Sequence, residues 1–213
     1  MNPTNPHEDE FCRSWKFTPT GWTPDQWILV RNPGIKQFGK WVQKDDCIEN
    51  AVPHGISPED LQSTCARDAY VSMVYARRFT ADLRIAVTMA FAYRMAPLIV
   101  VAPEMGADPS GQPEYREHFD IVMYDQGVNL WHHTYTAEKS LWVKAAYAKF
   151  PLKSNTRYAL EVELKGQILN VKIDGHEFGY TASTLPATCY VGITACEGVN
   201  RFYDMTVAQI PSL

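Results

Sequence analysis

No stretch of this chain is both long and free of charge. Its most apolar segment, IAVTMAFAYRMAPLIVVAP, carries Arg94 and Pro97 near its centre and alternates like strands; a charge at that depth of a bilayer is costly, so a spanning helix is excluded and no membrane partner is expected. Clustered basic residues are missing too. The 20 Lys and Arg are scattered singly against 24 Asp and Glu, and binding a phosphate backbone needs them grouped, so nucleic acid is excluded as a partner. There is no CxxC pair among the five cysteines, Cys12, Cys47, Cys65, Cys189 and Cys196, which leaves neither a structural zinc motif nor an even disulfide framework. The opening MNPTNPHEDEFC has no basic start and no apolar stretch, unlike a secretory leader. Free thiols in a cytoplasmic protein are the expectation; a secreted mature chain with its leader removed would read the same way.

What is present is strand after strand. DQWILVR, KQFGKWVQ, DCIEN and DAYVSMVYA are followed by DLRIAVTMAFAY, where Leu83, Ile85, Val87, Met89 and Phe91 alternate with Arg84, Ala86, Thr88 and Ala90. PLIVVA, LWVKAAY, RYALEVELKGQILNVKIDG, HEFGY, CYVGITAC and RFYDMTVA continue the series, with Gly, Pro, Asn and Asp between them. Only SPEDL reads as helical, with Ser57 as cap and Pro58 in the first turn. The 213 residues, with no repeat or linker, predict a single all-β domain over 1–213, two antiparallel sheets packed as a jelly-roll sandwich with very little helix. The long loop over residues 103 to 116 is rich in turn formers and is a candidate source of functional groups.

The order TRYALEVELKGQILNVKIDGHEF…YVGITACEGVNRFYDMTV resembles the closing strands of the concanavalin A-like lectin/glucanase superfamily, over roughly half the chain. PEYREHFDIVMYDQGVNLWHH is similar, over a shorter stretch, to cytoplasmic jelly-roll proteins of bacterial pectin-degradation gene clusters. The resemblance implies a concanavalin A-like fold and a glycan at the concave sheet face. Hydrolases, lyases and non-catalytic lectins all share that fold, so it does not choose among them. It also allows a structural calcium ion near Asp174 and Gly175, although no ligand cluster stands there; no other cofactor is expected.

The segment EHFDIVMYDQGVNLWHHTY, residues 117 to 135, reads as a hairpin. With Gln126 and Gly127 as its turn, Tyr124 faces Asn129, Val122 faces Trp131, Asp120 faces His133 and His118 faces Tyr135, all on one surface. Phe119, Ile121, Met123, Val128, Leu130 and His132 take the core side. The first surface suits a sugar. Trp131, Tyr124 and Tyr135 offer flat faces, and Asp120, Asn129, His118 and His133 offer directional hydrogen bonds.

Three chemistries compete there. Hydrolysis needs two carboxylates flanking the bond; the family-16 glucanase strand motif is absent, and only Asp120, with Glu114 folding in from the loop, is in range. Elimination beside a uronate carboxylate needs a base, an acid and a neutraliser. His118, His133, Tyr135 and Tyr124 can exchange the protons, Asp120 can orient His133, and Asn129 or Arg116 can bind the carboxylate. The third reading is a metal held by His118, Asp120 and His133. The sequence thus predicts a carbohydrate-active protein of acidic or plant-derived glycans, a lyase ahead of a hydrolase, with a lectin-like binding module as the alternative. An oligosaccharide or polysaccharide is the expected ligand, and oligomeric state is left open. His7, His54 and His176 read as solvated, Glu197, Asn200 and Arg201 as an ordinary inter-strand loop, and Cys196 as an inert buried thiol.

Overall fold

A computed structural model describes residues 12–33, 35, 39–63, 69–80, 82–135 and 140–210. Two antiparallel sheets face each other. The first runs, in spatial order, β16 (His176–Thr181), β15 (Ile168–Ile173), β14 (Tyr158–Lys165), β7 (Leu83–Phe91), β18 (Asn200–Gln209), β4 (Ile48–Asn50) and β3 (Trp41–Gln43), with β1 (Cys12–Lys16) also on β18. The second runs β13 (Ser140–Lys149), β12 (Gly127–Tyr135), β11 (His118–Tyr124), β8 (Met95–Ala102), β17 (Thr188–Ala195), β5 (Val71–Tyr75) and β2 (Trp27–Leu29), with β6 (Phe79–Thr80) on β17. This is the jelly-roll sandwich that the strand pattern predicts. Among the described residues, helix is confined to one three-residue 3₁₀ turn, α1 (Pro58–Ser63) and the single residue Ala69; in α1 the Asp60 amide donates to the Ser57 hydroxyl at 3.1 Å as the cap signal implies.

Alternation decides which side chains enter the core. Leu83, Ile85, Val87, Met89 and Phe91 of β7 are fully buried and meet Ile99, Phe119, Ile121, Val128 and Leu130 from the other sheet. Arg84, on the outer parity, reaches Glu163 of β14 instead. At one end of the core Trp15, Trp22 and Trp27 gather around Phe17 and Tyr75, with Trp15 and Trp27 ring centroids 5.1 Å apart. His7 and Cys65 lie outside the described residues; Cys12, Cys47, Cys189 and Cys196 are free thiols.

The outer face of the second sheet is covered in part. The 103–116 loop folds into a small hairpin, β9 (Met105–Ala107) on β10 (Pro113–Tyr115), that packs Tyr115 against Val30, Val74, Val100 and Ala102. The Arg31 guanidinium pairs with Asp108 and pins this flap to the N-terminal segment. Beside the flap the sheet is open, and there the site lies.

Candidate functional site

The β11–β12 hairpin forms as predicted, with its turn one residue earlier. Asp125 and Gln126 make the two-residue turn and Tyr124 pairs with Gly127. His118 therefore lies opposite His133, Asp120 opposite Trp131 and Val122 opposite Asn129, correcting the predicted pairs of Asp120 with His133 and His118 with Tyr135. The sequence reading took Gly127 for a turn residue. It is instead a strand residue at φ +129°, against β13, where an added Cβ would stand 2.0 Å from the Ala148 carbonyl oxygen. The Asp125 amide, donating to the Arg94 carbonyl at 2.6 Å, fixes the turn from the other side. The register moves by two residues, so each side chain keeps its face. Phe119, Ile121, Met123, Val128 and Leu130 are fully buried in the core. His132, on the same parity, stacks on Phe119 and meets Glu117 at 2.7 Å, a satisfied side chain.

On the opposite face three polar side chains are buried together: His118 (1% exposed), Asp120 (7%) and His133 (4%). His133 Nε2 lies 3.1 Å from Asp120 Oδ2. A carboxylate only accepts, so Nε2 is the donor, and Nδ1 has no hydrogen-bond partner. His118 donates Nδ1–H to the Arg116 carbonyl at 2.8 Å, and its Nε2 faces Asp120 Oδ2 at 3.7 Å, beyond hydrogen-bond reach. The two imidazoles stack with centroids 4.3 Å apart, and Tyr115 of the flap stacks on the far side of His118 at 4.7 Å. Burial pushes the Asp120 carboxyl up, but the adjacent His118 and His133 outweigh it and hold it well below the usual carboxylate range.

The donor atoms of this trio lie within 4.8 Å of one another. That spacing alone would admit an ion. A ring nitrogen binds a metal in its own plane, and these two rings are stacked only 11° from parallel. As arranged, Asp120 engages His133 directly, and one ion would have to reach donors on two stacked rings. The trio is the one such group among the described residues, and Asp174 is not part of it.

His133 and Asp120 line a cleft of about 440 Å³. Trp131 and Trp142 wall it, with Leu98, Val122, Met95 and Ala96 supplying apolar surface and Asn32, Asn129, Tyr70 and Glu197 polar groups. Of the predicted residues, Asp120, Asn129, Trp131 and His133 line it together. His118 sits behind Asp120. Tyr135 donates its hydroxyl to Asn32 Oδ1 at 2.9 Å. Tyr124 stands at the turn end, outside the lining. Arg116 and Glu114 pair with each other at 2.6 Å on the flap and also stay outside it.

The lining residues that were not among the predicted ones include Asn32, Tyr70, Trp142 and Glu197. Trp142 was legible in principle, since it pairs directly with His133 across β12 and β13. Glu197 was read as part of an ordinary loop, and Asn50 of β4 explains why it is not. Asn50 donates to the Gly198 carbonyl at 2.7 Å and accepts from the Asn200 amide at 2.8 Å, folding the β17–β18 loop over the cleft. Burial there pushes the Glu197 carboxyl up. Burial, with Glu197 and Asp120 nearby, likewise raises the Cys196 thiol well above its ordinary value, in keeping with an inert thiol.

No protein-family model matches the sequence, and no curated protein is similar to it in sequence. Solved structures are similar in fold. The carbohydrate-binding module CBM66 from Bacillus subtilis superposes with a TM-score of 0.56 at 10% identity, covering 86% of this chain and 96% of that one. The exoplasmic/lumenal domain of VIP36, solved bound to Ca²⁺ and Man3GlcNAc, gives 0.60 at 13% identity over 96% and 92%. The Crh5 transglycosylase gives 0.54 at 11% identity over 94% and 85%. At such identities the likeness is one of fold, a two-sheet jelly-roll sandwich.

Proposed function

We propose that this protein acts on acidic glycans and cleaves them by elimination beside a uronate carboxylate, with His133 as the base. The observation that carries the reading is the state of that one side chain. His133 is buried in the wall of the cleft, its Nε2–H is held by Asp120, and its Nδ1 has no partner. An imidazole oriented by a carboxylate is arranged to exchange a proton.

The remaining roles follow from the lining. Trp131 and Trp142 flank a space with apolar walls suited to a sugar ring, and the side-chain amides of Asn32 and Asn129 can donate to the uronate carboxylate. His133 takes the proton on the carbon bearing that carboxylate, through Nδ1 once a small turn of the ring uncovers that covered nitrogen to the cleft. The C–H electrons form a carbon–carbon double bond, the glycosidic C–O bond at the neighbouring carbon breaks, and the leaving oxygen collects a proton from Glu197. A carboxyl raised by burial is protonated further up the pH scale than a free one, which suits a donor. Asp120 is a positioning residue, engaged with His133 rather than offered to water, and this favours elimination over a two-carboxylate hydrolysis.

The test is incubation with polygalacturonate, alginate and glucuronate-containing chains, following near-ultraviolet absorbance of the unsaturated product. His133→Ala should lower the rate by about 100- to 10,000-fold. Release of reducing ends without that absorbance would sink elimination and turn attention to Asp120 and Glu197. A second reading, binding without turnover, draws on the carbohydrate-binding module among the similar folds. It predicts no product of either kind, with His133→Ala changing affinity alone.

A further inference from the structure

Strand β13 is the last in its sheet, so one flank of its backbone pairs with no other strand among the described residues. It is also irregular. Leu130 pairs with Ala146 but Trp131 pairs with Lys144, so Ala145 is an extra residue that bulges the strand. Strict alternation would put Trp142 and Lys144 on one face and Tyr147 and Lys149 on the other. The bulge brings all four to the same face, that of Asn129, Trp131 and His133.

The side chains confirm this. Lys144 Nζ lies 5.2 Å from the Trp131 ring centroid and 5.8 Å from that of Tyr147, and Lys149 Nζ lies 5.6 Å from Tyr147. These contacts make one row leading out of the cleft: Trp142, Lys144, Tyr147, Lys149. At the usual rise of a strand it is roughly 20 Å long. Trp142 and Tyr147 are 60% and 57% exposed, which is unusual for large aromatic rings. Elsewhere on the surface Arg84, Arg94, Arg157 and Lys172 pair with Asp or Glu. Neither Lys144 nor Lys149 has a carboxylate partner among the described residues.

We infer that the outer face of β13 is an extended binding track for an acidic glycan chain whose reacting unit occupies the cleft. Exposed rings alternating with unpaired ammonium groups match a polymer that alternates apolar ring faces with carboxylates. A neutral glycan would have no use for the lysines, and an apolar partner none for their charge. The free backbone edge adds donors and acceptors for hydroxyls. The inference rests on the acidic-glycan reading of the cleft and extends it from one unit to a chain.

The experiment compares the full chain with a Tyr147→Ala/Lys149→Gln double variant, both residues lying outside the cleft. Isothermal titration would use galacturonate and mannuronate oligomers from dimer to octamer. In the unaltered protein, affinity should rise with length, and high salt should remove most of that rise because exposed charges are screened. The variant should bind dimers as before and lose about tenfold on octamers, one stacking surface and one exposed charge having gone. Equal octamer affinity in both proteins, with matching circular dichroism spectra, would overturn the track while leaving the cleft reading intact. An equal rise with length for methyl-esterified oligomers would also overturn it, since the lysines would then have no part. Binding of no uronate oligomer of any length would overturn both readings together.

Discussion

Two carboxyl groups stand in one cleft and are pushed in opposite directions. Asp120 is held below the carboxylate range by its imidazoles, Glu197 above it by burial. Such divergence marks the division of labour between a group that stays ionised and one that keeps its proton. It has a thermodynamic side. A carboxyl depressed on folding adds stability above its unfolded value, about 3.9 for Asp, and that stability drains away as pH falls toward the folded value. Melting temperatures recorded from neutral to acid pH should fall more steeply for the unaltered protein than for Asp120→Asn, the two converging in acid. Parallel curves would mean that Asp120 is not ionised against its histidines. Glu197 behaves in reverse, since its raised value means that folding disfavours its charge. Glu197→Gln should leave the neutral-pH melting temperature undiminished while lowering turnover by about 100-fold or more. A large loss of stability without loss of rate would remove it from the proton-donor role. The histidines and Asp120 were legible in the sequence because strand parity survives a two-residue slip. Glu197 was not. Where a loop lands depends on what anchors it, and its anchor, Asn50, is far away in the chain.

At the scale of elements, the hairpin and its neighbour show how backbone contacts override local pattern. Asp125, Gln126 and Gly127 offer two turn placements, and turn preference alone favours ending on glycine. Close approach of the β13 backbone decides the matter, since only a residue without Cβ fits between Tyr124 and the Ala148 carbonyl. Gly127→Ala combines that clash with an unfavourable φ and should cost about 1–3 kcal/mol in denaturant unfolding. A neutral result would mean that the strands stand further apart than described. The bulge at Ala145 was equally hidden. A period of two predicts faces correctly along β7 and β14, where nothing interrupts it, and fails along β13 past the inserted residue.

Across the whole molecule, the sandwich was the most legible feature, because alternating strands bounded by turn residues leave few other ways to bury so many apolar side chains. The cleft was the least legible. Its lining comes from positions as far apart as Asn32, Tyr70, Ala96, Asn129 and Glu197, joined only once both sheets are in place. The long loop illustrates the difference. Its turn-rich composition marked it as a candidate, yet it reaches the site through Tyr115, stacked behind His118, while Glu114 and Arg116 bind each other.

The six tryptophans divide the same way, and this gives the protein two optical populations. Trp15, Trp22 and Trp27 are packed at one end of the core and Trp41 rests on Phe202, whereas Trp131 and Trp142 face the cleft. On the proposed reading, a bound chain would touch only the second group. Titration with uronate oligomers should therefore alter part of the emission and leave the rest constant, and acrylamide should quench the responsive part first. With Trp131 and Trp142 both replaced by Phe, the ligand-dependent signal should vanish while the unfolding signal persists. A ligand response carried by the four remaining tryptophans would mean that binding reaches the core, and that the two sheets are not the rigid platform their packing implies.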